Sequence, residues 1–218
     1  MTADRGWQGT MIGVTLETQK FWDAEADTFD DEADHGLRDA AVRGAWSRLL
    51  LPLLPEVPAS VADLGCGTGS LSVLLAQAGY AVAGLDLSPR MVEAAGRKAR
   101  ATGAAAQFVV GDASEPRLPA GSFDVVLARH VLWALPDPGA ALKNWLHLLK
   151  AGGMLLLVEG RWATGGGLTS AEVCAHLRAQ GQEPSVTRLD DPQLWGRSID
   201  DDRYLVVNHS TPTTGGVK

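Results

Sequence analysis

Three glycines, Gly65, Gly67 and Gly69, stand at alternate positions in DLGCGTGS, directly after the apolar run VADL. A turn of this kind after a strand lets a ligand lie against bare backbone. Asp86 follows 21 residues after Gly65, in GLDLS, where a carboxylate can accept both hydrogen bonds from a ribose diol. Asp112 in GDAS is followed by small Ala113, a pair that reads an adenine amino group and leaves room for the ring. A phosphate loop requires GxxxxGK followed by Ser or Thr, and no lysine lies near this turn, so that chemistry is excluded. A dinucleotide fingerprint requires GxGxxG; Gly65 and Gly67 fit, but position 70 is Ser and Gly69 comes one place early. The third reading is a ligand with a ribose and an amino-acid arm but no pyrophosphate; Asp86 alone does not separate it from NAD.

Such residues must sit at the carboxyl ends of parallel strands, and the sequence supplies the strands. SVADL, YAVAGLDL, AAAQFVV, SFDVVLA and GMLLLVEG are short apolar runs, and helical patterns separate them at about 68–79, 89–102 and 138–150. Ser88 and Pro89 form a cap and first-turn pair for the second of these helices. Near-continuous apolar strands alternating with helices predict an α/β fold, a doubly wound, mostly parallel sheet covered on both faces. A further helix at about 169–180 precedes EPSVTRLD and RYLVVNHS, which pair as an antiparallel edge hairpin and bring the sheet to seven strands. Ahead of the sheet, 15–29 reads as an irregular helix, FDDEADHG as an acidic loop and LRDAAVRGAWSRLLLPLLP as a helix ended by its prolines. Residues 1–14 and 211–218 read as flexible tails on a single domain spanning 1–218.

These blocks together resemble the class I S-adenosylmethionine-dependent methyltransferases, in their small-molecule branch. DLGCGTG resembles the first motif of that family, GLDLSPRM the second and GDASEPRLP the third; FDVVLA and LKAGGMLLLVE resemble its later strands. The resemblance covers about 55–160 in order and spacing. It implies a Rossmann-like methyltransferase fold with S-adenosyl-L-methionine as cofactor. Gly65, Cys66 and Gly67 would then lie under its methionine part, and Asp63 would meet the amino-acid end. Asp86 would hold the ribose hydroxyls, Leu87 and Met91 would flank the adenine, and Asp112 with Ala113 would meet its polar edge. The segment 15–36 resembles the family's N-terminal lid, placing Trp22 over the sulfonium, where an aromatic face favours a cation, and Phe29 beside the acceptor.

Methyl transfer from a sulfonium is an in-line displacement with an activated donor; the enzyme aligns the partners, excludes water and takes a proton if the nucleophile carries one. It calls for no metal. The fourth strand opens into ARHVLW, without the Asn/Asp-Pro-Pro-aromatic pattern of amide and nucleic-acid amine methylation. His130 is the first candidate base, with His35 on the lid and Glu159 at the end of the fifth strand as further catalytic candidates. Arg129 is read as a contact to the cofactor's amino-acid region or a surface ion pair. Trp133, Trp162 and Trp195 follow strands and suggest an aromatic acceptor pocket, whereas Trp46 and Trp145 read as helix core. His147 and His176 read as surface or packing residues.

Composition narrows the classes further. A formal net charge of −7 over 218 residues argues against nucleic-acid partners, because nothing basic would replace their counterions. No apolar run is long enough for a membrane span, the N-terminus lacks the order of a secretory signal, and the two cysteines, Cys66 and Cys174, form no metal-binding spacing. A cytoplasmic monomer or homodimer acting on a small aromatic or heteroaromatic molecule in specialised metabolism is the expectation, with transfer to N, O or C. An NAD-dependent oxidoreductase is the alternative, but Tyr80 and Tyr204 precede no lysine at the YxxxK spacing. A non-catalytic nucleoside-binding relative is the other.

Overall fold

The computed structural model describes residues 16–210; the tails predicted at 1–14 and 211–218 lie outside them. Seven strands form one sheet in the order β3-β2-β1-β4-β5-β7-β6. Five are parallel: β1 Ser60–Leu64, β2 Ala81–Asp86, β3 Ala106–Val110, β4 Phe123–Arg129 and β5 Leu149–Arg161. β6 Ser185–Arg188 and β7 Asp202–His209 form the expected antiparallel pair, with β7 running antiparallel to β5. The predicted doubly wound sheet of seven strands is therefore present.

Strand order reverses between β2 and β4, which flank β1. That switch point is where an open α/β sheet leaves a crevice at its carboxyl edge. Asp63, Asp86, Arg129 and Glu159 all sit at or near the carboxyl ends of their strands.

Two apolar cores cover the sheet. On one face, α3 (Ala40–Leu50), α4 (Ser70–Gln77) and α8 (Pro192–Trp195) bury Trp46, Leu50, Leu75 and Trp195. On the other, α6 (Pro138–Leu148) and α7 (Ser170–Arg178) bury Leu142, Trp145 and Leu177. Trp46 and Trp145 are fully buried, as their helical positions predict. α5, Pro89–Thr102, begins where Ser88 Oγ accepts from the Met91 amide. None of the described helices is long and apolar enough to cross a membrane.

The sequence-based boundaries need three corrections. The acidic segment read as a loop carries a 3-10 turn at Phe29–Asp31 and the short helix α2, Ala33–Gly36. Its polar residues suit either state, and it is docking onto the sheet edge that orders them. β5 begins at Leu149, directly after α6, so Leu149 and Lys150, read as the end of the helix, are strand, as are Ala151 and Gly152 ahead of GMLLLVEG. The span between β6 and β7, read as a loop, contains α8, whose Leu194 carbonyl accepts from Trp46 Nε1 at 2.8 Å. α1, Leu16–Glu25, falls within the predicted N-terminal helix.

Candidate active site

The glycine turn has the backbone its residue types demand. Gly65 and Gly67 have φ of +67° and +54°, values that side chains with a Cβ adopt only under strain. The Gly65 and Cys66 amides both donate to the Leu85 carbonyl, at 2.7 and 2.9 Å, which ties the turn to β2. Gly69 is the residue before α4 and also left-handed. The third glycine thus starts a helix instead of approaching a pyrophosphate.

Asp86 closes this turn. One carboxylate oxygen accepts from the Gly67 amide at 2.8 Å, the other from the Ser88 amide at 2.9 Å. A carboxylate has about four acceptor positions, so each oxygen keeps one for a further donor. Burial raises the Asp86 pKa, opposed by those amide bonds. Asp63 is also buried, accepts from Ser72 Oγ at 2.5 Å, and is pushed up to about 6 by burial, with the serine bond and Arg129 opposing. Burial, and then Asp63 and Asp86, raise the Cys66 thiol well above its usual range, so it is a packing residue and no nucleophile at neutral pH.

Further along the edge, Met91 is buried and Leu87 half-buried. Asp112 Oδ1 accepts from the Ser114 amide at 2.7 Å, an Asx-type turn, and the neighbouring Ala113 carbonyl accepts from Trp145 Nε1 at 2.6 Å. The second core thereby fixes the turn that the sequence assigns to an adenine.

The N-terminal segment lies directly on the glycine floor. A Cβ on Gly67 would stand 3.1 Å from the Phe29 ring. Phe29 stacks on His35 at 4.3 Å, and Trp22 meets Phe29 edge-on at 6.3 Å, one ring further out. Gly65 meets Val131, whose side chain would overlap a Cβ placed there. Asp30 bonds Thr68 Oγ1, and Lys98 Nζ reaches Asp30 Oδ1 at 3.0 Å, Thr68 at 3.0 Å and Ser70 at 2.6 Å. Neither Lys98 nor Val131 carries a sequence signal, because each comes to the turn only through tertiary packing.

At the end of β4 the chain turns sharply. His130 has φ +58°, one of two non-glycine residues in the left-handed region among the described residues. Its amide still donates to the Val158 carbonyl at 2.8 Å. Glu159, fully buried, accepts from the next two amides, Val131 at 3.0 Å and Leu132 at 2.7 Å, through Oε1. Burial pushes its carboxyl up to about 8, against the pull of those two bonds. The sequence reads Glu159 as facing the crevice; one of its oxygens instead holds the loop that carries His130.

Around His130 the rings gather. Trp195 stacks with it at 5.9 Å, Trp162 approaches edge-on at 5.5 Å, and Trp133 lies 5.0 Å from Trp162. Trp162 and Trp133 are half-buried, whereas Trp195 is buried, with Nε1 on the Leu189 carbonyl. Trp195 therefore supports the imidazole from the core side, a different placement from the pocket lining expected. Arg203 lies over Trp195 at 4.7 Å and Trp162 at 5.6 Å while held by both Asp201 oxygens. Arg129 is no surface ion pair: it sits over Trp46 at 5.1 Å and donates to the Asp34 carbonyl.

His35 and His130, 95 positions apart in sequence, meet here with Asp34. Burial lowers both imidazole pKa values, His130 well below its usual range with Arg203 and Arg129 adding to it, and His35 against the raising effect of Asp34. Both rings are neutral at pH 7.

Residues 62–157 match the family described as Methyltransferase domain. The chain is 32% identical over 139 residues to a ubiquinone biosynthesis O-methyltransferase of Xanthomonas axonopodis pv. citri (strain 306), covering 63% of this chain and 55% of that protein. It is 28% identical over 142 residues to phosphoethanolamine N-methyltransferase 1 of Triticum aestivum, covering 65% of this chain but 27% of that protein. The chain thus spans from about a quarter to about half the length of these curated relatives. Among solved structures, the cyclase SpnF superposes with a TM-score of 0.68 at 21% identity, over 77% of this chain and 80% of that one. At that identity the likeness is one of fold.

Proposed function

We propose that the chain is a class I S-adenosylmethionine-dependent methyltransferase, a reading supported by the matched Methyltransferase domain and by its methyltransferase relatives, and that it transfers the methyl group of S-adenosylmethionine to a small, planar acceptor. The observation that carries the reading is Asp86. Its two oxygens each keep an acceptor position after bonding Gly67 and Ser88, matching the two O–H donors of a ribose diol. The left-handed Gly65 and Gly67 give the methionine arm a floor without Cβ atoms, and the Asp112–Ala113 turn receives the adenine.

The donor and the lid compete for that floor. Phe29 and Val131 rest on the two glycines, so donor entry lifts the segment around Phe29 and closure returns it over the bound sulfonium. The acceptor lies beyond the sulfur, between the half-buried Trp133 and Trp162 and the neutral His130 and His35. A neutral imidazole can take the proton of an oxygen or nitrogen nucleophile. The relatives include an O- and an N-methyltransferase by name, and the site's own chemistry suits either atom.

The test is donor binding and turnover in Asp86→Ala. Hydrogen bonds to a charged group contribute about 1.5–3 kcal/mol each, so losing two weakens S-adenosylhomocysteine binding by roughly 10²–10⁴-fold. An unchanged affinity contradicts the assignment. The alternative is a protein that keeps the nucleoside-binding fold without methyl transfer. Release of S-adenosylhomocysteine that depends on an added phenolic or heteroaromatic acceptor separates the two.

A further inference from the structure

Neither donor binding nor the sheet requires the cluster of Asp34, His35 and His130. Each offers one ligand atom, and the three atoms lie within 4.8 Å of one another. Nε2 of His130 and Nδ1 of His35 are buried without hydrogen-bond partners. An unpartnered buried polar atom costs about 1–3 kcal/mol, so two in one cluster point to a ligand that satisfies them. Both rings are already held in place, His35 by Phe29 at 4.3 Å and His130 by Trp195 at 5.9 Å.

We propose that Asp34, His35 and His130 form a three-ligand site for a divalent transition-metal cation. Two imidazoles and one carboxylate are borderline donors that suit zinc, cobalt, nickel or iron, whereas magnesium and calcium take oxygen shells. Three protein ligands leave a coordination position open, the pattern of reactive rather than structural sites. On the methyl-transfer reading, on which this last step rests, that position receives the acceptor's oxygen or nitrogen near Trp162. With a cation bound, the imidazoles would be ligands and coordination would lower the acceptor's pKa, so that its proton passes to solvent water; the acceptor atom then bonds the methyl carbon as the carbon–sulfur bond breaks and S-adenosylhomocysteine leaves. The sequence calls for no metal because the ligands come from segments 95 positions apart, which no local spacing reveals.

Geometry and charge both permit the cation. Bonds of about 2.0–2.2 Å in a tetrahedral shell place ligand atoms about 3.4 Å apart, so binding draws the three together by up to roughly 1.4 Å. Asp34 and His35 lie on the four-residue α2, and His130 lies in the loop after β4. Two guanidiniums are close, but Asp201 engages Arg203 with both oxygens, at 2.9 and 2.8 Å. Arg129 lies in the fields of Asp34, Asp63 and Asp30. These carboxylates offset the positive charge that a second cation would meet.

The experiment is titration of the chelator-treated chain with Co(II), read by visible absorption, and then with Zn(II) in competition. One equivalent is expected, with affinity about a hundredfold lower in His130→Gln and His35→Gln and about tenfold lower in Asp34→Asn. S-adenosylhomocysteine binding in the same samples stays within about threefold of the unsubstituted chain, which shows that each variant keeps its sheet. Should His35→Gln unfold, His130→Gln and Asp34→Asn decide the question. Absence of a stoichiometric Co(II) or Zn(II) site, or a titration that His130→Gln leaves unchanged, overturns the proposal. Metal binding retained in a chain that binds no S-adenosylhomocysteine would overturn the methyl-transfer reading and leave the cation site standing.

Discussion

Glu159 is the residue whose role the site decides most sharply. A base in the crevice would present its carboxylate to the acceptor. Here Oε1 clamps the Val131 and Leu132 amides and so fixes His130 in its left-handed conformation. Glutamine retains that acceptor oxygen and removes the titrating proton. Glu159→Gln is therefore expected to keep kcat within about threefold, whereas Glu159→Ala raises the acceptor KM and lowers kcat together, with donor affinity unchanged. A collapse of kcat in Glu159→Gln would mean that the carboxylate itself takes the proton. The same group sets a pH dependence. Its pKa rises from 4.5 unfolded to about 8 folded, so the folded state holds the extra proton between those values. Its contribution to stability is full below about 4.5 and is lost as pH climbs through 8. Chemical denaturation at pH 5 and pH 8.5 should show this loss in the natural chain and a smaller one in Glu159→Gln.

Among the elements, the N-terminal segment is the one that lies against the glycine turn, through Phe29 on Gly67. α1 buries none of its residues, so side-chain latches hold the segment to the rest. Asp23 accepts from Ser88 Oγ at 2.5 Å, Asp27 pairs with Arg90 at 2.6 Å, and Asp30 joins Thr68 and Lys98. The first two reach the start of α5 and the third the start of α4, beside the donor floor. Lys98 is mostly buried, and burial lowers its pKa while Asp30 raises it. Removing Asp30 leaves that ammonium without its carboxylate, a loss of about 1–3 kcal/mol. Amide hydrogen exchange across 16–36 should then quicken by about tenfold or more in Asp30→Ala while β1, β4 and β5 keep their protection. Equal exchange in the two proteins would show that Phe29 alone seats the lid.

At the scale of the whole molecule, the two cores serve the site from opposite faces. Trp46 and Trp195, packed edge to face at 5.5 Å, lie beneath Arg129 and His130. Trp145 on the other face anchors the Ala113 carbonyl. Trp145→Ala should cost about 3–5 kcal/mol of stability and lower Tm by several degrees; Trp145→Phe keeps most of the packing and still weakens donor binding by freeing the Asp112 turn. An unaltered donor affinity in Trp145→Phe would separate core from site.

This division also explains what the sequence reveals. The central strands β1, β4 and β5 bury both faces over most of their length, so apolar runs expose them directly, whereas the edge strand β3 buries none of its residues and shows by its apolar run alone; the left-handed glycines mark the turn by residue type. Asp86 is legible because a fixed spacing links the first two strand ends. The meeting of His35 with His130 and the Lys98 latch depend on how a short polar segment docks across the sheet edge, and the Glu159 clamp on how the loop after β4 folds back onto β5. Nothing periodic encodes that docking, and FDDEADHG reads as loop for the same reason.

The central claim is that the glycine turn and Asp86 hold the donor of a methyl transfer. Calorimetric titration of the unsubstituted chain with S-adenosylhomocysteine and, separately, with NAD tests it most directly. One equivalent of S-adenosylhomocysteine bound at micromolar affinity or tighter, with no heat from NAD, is the predicted result. Binding of NAD alone, or of neither ligand, would contradict it.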